Sequence, residues 1–216
     1  MKSYSLGADE RIAAYVERTF RPEDGVLREV RERSRRAGLP EIHLSPMDAL
    51  HLEVLARASR ARRAVEIGTL GGYSGIALLR GLGPDGRLDT FEIDARHAEV
   101  ARESFRKAGL DGRAEVHVGP ALERLRAIEP RGPFDLVFID ADKEGYPAYL
   151  DWTERHLAPG GLLIGDNTFA FGEIASGKGE GARALRDFNS RLARGDRFRA
   201  TILPTGEGMT VAVKLH

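Results

Sequence analysis

Five residues that follow two apolar runs could do chemistry together. Asp140, Asp142 and Lys143 follow Phe134-Asp135-Leu136-Val137-Phe138-Ile139, and Asp166 and Asn167 follow Gly161-Leu162-Leu163-Ile164-Gly165. The carboxylates of Asp140 and Asp166 with the amide oxygen of Asn167 make a hard, oxygen-rich donor set. Such a set suits Mg²⁺, or another divalent cation such as Ca²⁺ or Mn²⁺, rather than zinc. Taken singly, either Asp could merely cap the next helix. All five residues at two neighbouring strand ends point instead to a site. A cation there disfavours a charged ammonium, which makes Lys143 a candidate general base toward a hydroxyl. Its bland alternative is a surface ion pair. Only five of the 33 basic residues are lysine, and arginine effectively cannot give up its proton.

A second group lies earlier in the chain. Glu66-Ile67-Gly68-Thr69-Leu70-Gly71-Gly72-Tyr73-Ser74 is a strand end running into a glycine turn, where backbone can approach a ligand or a packed helix. The turn lacks the G-x-G-x-x-G spacing of dinucleotide sites. Glu66 would place negative charge where a pyrophosphate sits, which favours a ligand with a cationic or amine group over NAD. Glu92 ends the next strand, where a carboxylate can accept both hydrogen bonds of a ribose diol or simply face solvent. The turn and Glu92 together imply an adenosine ligand. The six histidines form no i, i+4 ligand pair and read as structural or exposed, with His43 alone near the site. Neither a nucleophile elbow nor a P-loop occurs.

The elements that must position these residues alternate. Helices fill roughly the first sixty residues: one after Asp9, one opened by Pro22, and one capped by Ser45 with Pro46 behind it. Strands follow at 64–68, 88–93, 114–118, 134–140 and 161–166, with helices at 72–81, 94–108, 120–128, 143–156 and 181–192. The chain closes with strands 198–203 and 209–215, joined by a link short enough to require an antiparallel hairpin. Five β-α units imply an α/β, Rossmann-like, doubly wound sheet of seven strands, helices on both faces and the last pair antiparallel. Ligands of such sheets bind at the carboxyl ends of the strands, near the switch in strand order. Residues 1–216 read as one domain: a helical cover over 1–60 and a cofactor-binding core over 61–216. The stretch 172–181 reads as a mobile loop.

Composition bounds the function. The 33 basic and 33 acidic residues cancel, against the basic excess of a nucleic-acid binder. Without cysteine there is no disulfide, zinc ribbon, iron–sulfur cluster or thiol catalysis. No apolar run approaches the roughly 20 residues of a membrane span, and the N-terminus has no signal-peptide core. A cytoplasmic enzyme or binding domain is expected.

The segments VEIGTLGGYSGIAL, FEID, GPALERL, FDLVFIDADKEGY, GGLLIGDNTF and LPTGEGMTVAVK, in this order and spacing, resemble the cation-dependent class I S-adenosylmethionine O-methyltransferases. That family includes catechol, caffeoyl-coenzyme A and bacterial small-molecule enzymes. The resemblance covers roughly Leu39 to Leu215 and rests most on DADK followed by DN. It implies that Glu66, Gly68, Thr69 and Ser74 line the methionine and ribose part of the cofactor. Glu92 would hold the ribose hydroxyls, Ala121 would meet the adenine through backbone, and Leu44 would touch the cofactor through backbone. Asp142, with Asp140 beside it, would hold the cofactor's amine. Asp140, Asp166 and Asn167 would bind the metal, and Lys143, with Asp140, would carry the catalysis.

The implied reaction is Mg²⁺-dependent methyl transfer to one hydroxyl of a small catechol-like or phenolic acceptor, in a homodimer formed partly through the N-terminal helices. The run Thr168-Phe169-Ala170-Phe171-Gly172 departs from the Thr-Leu-Trp of many relatives, and Phe171 replaces a substrate-binding Asn of plant members. This argues against a coenzyme A-linked acceptor. Phe169, Phe171 and Tyr146 either line an aromatic acceptor pocket or pack in the core. The alternatives are a non-catalytic adenosyl-ligand binding protein and an NAD-dependent oxidoreductase.

Overall fold

A computed structural model describes residues 10–216 of the chain. Asp9, expected to cap the first helix, lies outside them. Three helices come first: α1 (Glu10–Phe20), α2 (Gly25–Arg36) and α3 (Pro46–Ser59). Asp24, not Pro22, starts α2, because its carboxylate accepts the Leu27 N–H at 3.0 Å. Ser45 caps α3 as expected, its hydroxyl accepting from the Asp48 N–H. This bond satisfies one of the amides that a helix start leaves unpaired.

The alternating part runs β1 (Arg63–Ile67), α4 (Tyr73–Gly81), β2 (Arg87–Glu92), α5 (Ala95–Lys107), β3 (Ala114–Val118), α6 (Ala121–Ile128), β4 (Phe134–Ile139), α7 (Tyr146–His156) and β5 (Leu157–Gly165). It ends with α8 (Glu180–Arg194), β6 (Phe198–Leu203) and β7 (Met209–Lys214). The strands form one seven-stranded sheet in the order β3-β2-β1-β4-β5-β7-β6. The first five are parallel, and β7 is antiparallel to both β5 and β6. β5 begins four residues earlier than expected. The register slips between Phe134↔Leu157 and Leu136↔Leu162, and this irregularity absorbs Pro159 and Gly160, which broke the strand pattern in the sequence.

Both faces of the sheet are covered. Ala64, Leu88, Leu136, Phe138, Leu162 and Ile164 pack with α2, α3, α4 and α5. Their sequence neighbours Val65, Val137, Ile139 and Leu163 pack with α6, α7 and α8. This period of two is why the strands read as continuous apolar runs. Each fully buried Leu, Ile or Phe contributes about 1.5–3 kcal/mol. Among the described residues no helix is long and apolar enough to cross a membrane.

Candidate active site

Strand order reverses between β1 and β4, so the loops after them part and leave a crevice. The ladders run one residue past each strand there. Asp140 N–H donates to the Ile67 carbonyl and Asp166 N–H to the Ile139 carbonyl, both at 2.9 Å. Gly68 N–H donates to Phe91 O at 3.0 Å, and Gly119 N–H to Glu92 O at 2.9 Å. The residues that end the five parallel strands therefore stand in one row.

A cavity of about 720 Å³ opens along that row. Ten of the twelve nominated residues line it: Leu44, Gly68, Thr69, Ser74, Glu92, Ala121, Asp140, Asp142, Lys143 and Asn167. Glu66 and Asp166 lie behind its wall, 0% and 1% exposed. Glu66 shares the strand parity of Ala64, so it points under α4. There Ser74 Oγ and Thr90 Oγ1 each donate to it at 2.6 Å, and Thr69 Oγ1 lies 2.5 Å from Thr90 Oγ1. Burial pushes the Glu66 carboxyl up to about 7, against the pull of those two hydroxyls. Glu66 thus lies under the turn, tied to Ser74 and Thr90.

Glu92 faces the cavity in a prepared orientation. Its Oε2 accepts the Leu70 N–H at 2.7 Å and its Oε1 the Asp94 N–H at 3.0 Å. His97 Nδ1 stands 3.6 Å from Oε1. His97 lines the cavity too, so His43 is not the only histidine at the site. The backbone N–H groups of Arg96 and His97 donate to the Asp94 carboxylate, which caps the start of α5.

The second cluster lies at the other end of the cavity. Asn167 takes a left-handed φ of 55°, which Asn tolerates better than most residues, and its Nδ2 is buried without a hydrogen-bond partner. Neighbouring strands β4 and β5 bring Asp140 and Asp166 to adjacent strand ends, with Asn167 next in the chain. Two carboxylates and the amide oxygen of Asn167 form a donor set of the kind that fits a hard divalent cation. Lys143 Nζ lies 3.2 Å from both Asp140 Oδ1 and Tyr146 Oη. Asp142 Oδ1 accepts the Tyr149 hydroxyl at 2.6 Å. A different group, Asp89, Glu115 and His117, has metal-ligand spacing on β2 and β3. Arg131 already supplies its cation, with Nη1 2.6 Å from Asp89 Oδ1 and 2.7 Å from Glu115 Oε2.

The family described as O-methyltransferase matches residues 17–215. The chain belongs to that family. It is a class I S-adenosylmethionine-dependent O-methyltransferase, and the oxidoreductase and non-catalytic alternatives are set aside. The chain is 45% identical over 174 residues to a catechol O-methyltransferase of Mycobacterium tuberculosis, covering 78% of this chain and 79% of the relative. It is 35% identical over 198 residues to a catechol O-methyltransferase of Niastella koreensis, covering 90% of each. The solved O-methyltransferase of Bacillus cereus in complex with S-adenosylhomocysteine superposes with a TM-score of 0.88 at 37% identity, covering 94% of this chain and 97% of that one.

The methyltransferase has a second cavity, of about 900 Å³, between the N-terminal helices and the segment 41–48. Ile42, His43, Leu44, Asn167 and Phe171 line both. Phe171 stands there 66% exposed. Phe169 instead covers Gly208, where an added Cβ would meet its ring at 2.7 Å. Tyr146 is fully buried and does not line either cavity, because its hydroxyl turns inward to two backbone carbonyls.

Sequence reasoning missed the wall between the cavities. Arg31 Nε pairs with Glu23 Oε1 at 2.7 Å, Nη2 donates to the Leu44 carbonyl at 2.5 Å, and the guanidinium lies 4.3 Å over the Tyr73 ring. Tyr73 Oη donates to Glu23 Oε1 at 2.7 Å, and His43 Nε2 lies 3.1 Å from Ser34 Oγ. Burial, then Arg31, lowers the His43 imidazole to about 4. Nothing in an Arg-rich helix distinguishes Arg31 from its neighbours. Only Tyr73, directly after the glycine turn, carried a signal.

Proposed function

We propose that this enzyme methylates one hydroxyl of a small catechol-like or phenolic acceptor, with Mg²⁺ or another divalent cation held by Asp140, Asp166 and Asn167. The observation that carries this is the placement of Lys143 Nζ, 3.2 Å from Asp140 Oδ1, in the wall of the 720 Å³ cavity that shares Asn167 and Phe171 with the larger one. One cavity holds the expected cofactor residues with the acid and the amine, and the other, which meets it at Asn167 and Phe171, leaves room for an acceptor. The names of the two catechol O-methyltransferase relatives support the acceptor class.

Each side chain then has a task. Glu92, its oxygens already oriented by two amides, accepts the ribose hydroxyls. Ala121 backs the adenine, Asp142 takes the amine, and Gly68, Thr69, Ser74 and Leu44 shape the methionine end, with Glu66 bracing Ser74 from below. When bound, S-adenosylmethionine supplies an electrophilic sulfonium methyl group, and S-adenosylhomocysteine is left. When bound, the cation supplies positive charge that attracts vicinal oxygens and favours an ionised hydroxyl. Lys143 Nζ accepts the hydroxyl proton, and Phe171 offers a ring face to an aromatic acceptor. The enzyme works in the cytoplasm as a homodimer of single-domain chains. The exposed Ile12, Tyr15 and Phe20 of α1 offer part of its interface.

The test is turnover of a panel of vicinal diphenols with S-adenosylmethionine and Mg²⁺, with methylated product detected by mass spectrometry. Turnover should stop in excess EDTA and return with Mg²⁺. Full activity in EDTA would remove the cation from the mechanism, and no methylated diphenol would overturn the acceptor class.

A further inference from the structure

We propose that Tyr146 is a positioning residue for Lys143, its buried hydroxyl fixing Nζ beside Asp140 so that one face of the amine is left for the acceptor hydroxyl. The proposal rests on the reading of Lys143 as the base.

Tyr146 opens α7 and has no exposed surface. Its ring meets Phe188 edge-on, with centroids 5.2 Å apart at 81°, so the ring has one place to be. Its Oη lies 2.9 Å from the Ile139 carbonyl and 2.7 Å from the Asp166 carbonyl. A phenol has one proton, and these two acceptors share it. Toward Lys143 Nζ, at 3.2 Å, Oη can therefore only accept.

Asp140 Oδ1 also can only accept from Nζ, at 3.2 Å. A lysine nitrogen has four tetrahedral directions. One is the bond to Cε, and two are N–H bonds committed to Asp140 and Tyr146. The fourth is left for the cavity that Lys143 lines. That is the direction from which an acceptor hydroxyl can reach Nζ. A lysine held by Asp140 alone would keep more of its side-chain rotamer freedom. The ring completes the seat, 5.0 Å from Nζ. A hydroxyl in the core costs stability unless hydrogen-bonded, and a phenylalanine would fill the same space. What the oxygen adds here is contact with the amine and with the two strand ends that carry the acids.

The experiment is a double-mutant cycle of Tyr146→Phe and Lys143→Ala in the full-length enzyme. It measures kcat, acceptor KM and S-adenosylhomocysteine affinity by calorimetry, with kcat counted per binding-competent site so that partial unfolding does not enter. Tyr146→Phe should lower kcat about tenfold, since small misplacements of a reacting group cost that much or more, and should leave KM and cofactor affinity within about twofold. In the Lys143→Ala background the same change should have almost no effect. Two results would overturn the proposal: wild-type kcat in Tyr146→Phe, or the same fold loss in both backgrounds, which marks a purely structural role. Wild-type kcat in Lys143→Ala would instead overturn the base reading, and this proposal with it.

Discussion

Gly68 and Asp140 meet backbone to backbone: a Cβ added to Gly68 would lie 2.0 Å from the Asp140 carbonyl oxygen. This contact joins the glycine turn after β1 to the acid after β4, across the switch in strand order. Gly68 also has a φ of 98°, which side-chain-bearing residues rarely adopt. Gly68→Ala should therefore cost about 1–3 kcal/mol from backbone strain alone and weaken S-adenosylhomocysteine binding. Thermal melting and calorimetry check both. A variant that melts and binds like the parent would show that the two strand ends can part freely.

Glu92→Gln keeps the shape of the side chain but turns one acceptor into a donor. That donor would face the Leu70 or Asp94 amide that the carboxylate now binds. Loss of at least about tenfold in S-adenosylhomocysteine affinity is expected, near 1.4 kcal/mol, with kcat at saturating cofactor changed much less. Unaltered affinity would place the ribose elsewhere.

Phe171→Ala should raise the KM of aromatic acceptors several-fold while cofactor affinity holds. Phe171 is exposed at the junction of the two cavities and reaches it with a left-handed φ of 52°. Such a conformation costs of order 1–3 kcal/mol at a bulky residue, so the position is held by its surroundings. Acceptor kinetics against calorimetry separate the two effects, and an unchanged KM would release Phe171 from acceptor binding.

His43 makes stability depend on pH. Its imidazole titrates near 4 in the fold, against an ordinary value of 6.5, because burial and then Arg31 disfavour the charged form. Between those values the unfolded chain binds the proton and the folded chain does not. Its contribution is therefore fully present above about 6.5 and is lost as pH falls toward 4, on the order of 3 kcal/mol. His43→Gln should flatten the melting temperature over that window. Equal slopes for parent and variant would assign the acid sensitivity to other groups.

Much of the candidate site was legible because open parallel sheets place ligands at strand ends, and strand ends can be read from where apolar runs stop. Asp140, Glu92 and Asn167 were each found that way, and all three line the same cavity. Glu66 was legible as a residue near the candidate site but not in the direction of its side chain. Whether a side chain points into a crevice or under a helix depends on strand parity relative to a neighbour that the run itself does not identify. Tyr146 shows the same limit. An aromatic residue three positions after Lys143 suits a pocket wall or a core equally, and only the carbonyls of Ile139 and Asp166 decide that its hydroxyl turns inward. Arg31 and Glu23 were not legible at all, since their meaning comes from contact with Tyr73 and Leu44.

The sequence by itself determined the alternation of elements, the antiparallel close of the sheet, and the chemical types available at each strand end. These are local: apolar periodicity sets strand and helix, turn length sets the hairpin, and the absence of cysteine leaves oxygen, with histidine nitrogen, as the metal donors. The tertiary structure alone decided which carboxylates face the cavity and which brace it. It alone joined a second cavity to the first at Asn167 and Phe171, and seated Lys143 between Asp140 and Tyr146. Those outcomes depend on side-chain direction and on contacts between segments far apart in the chain, and neither is carried by the order of residues along one strand.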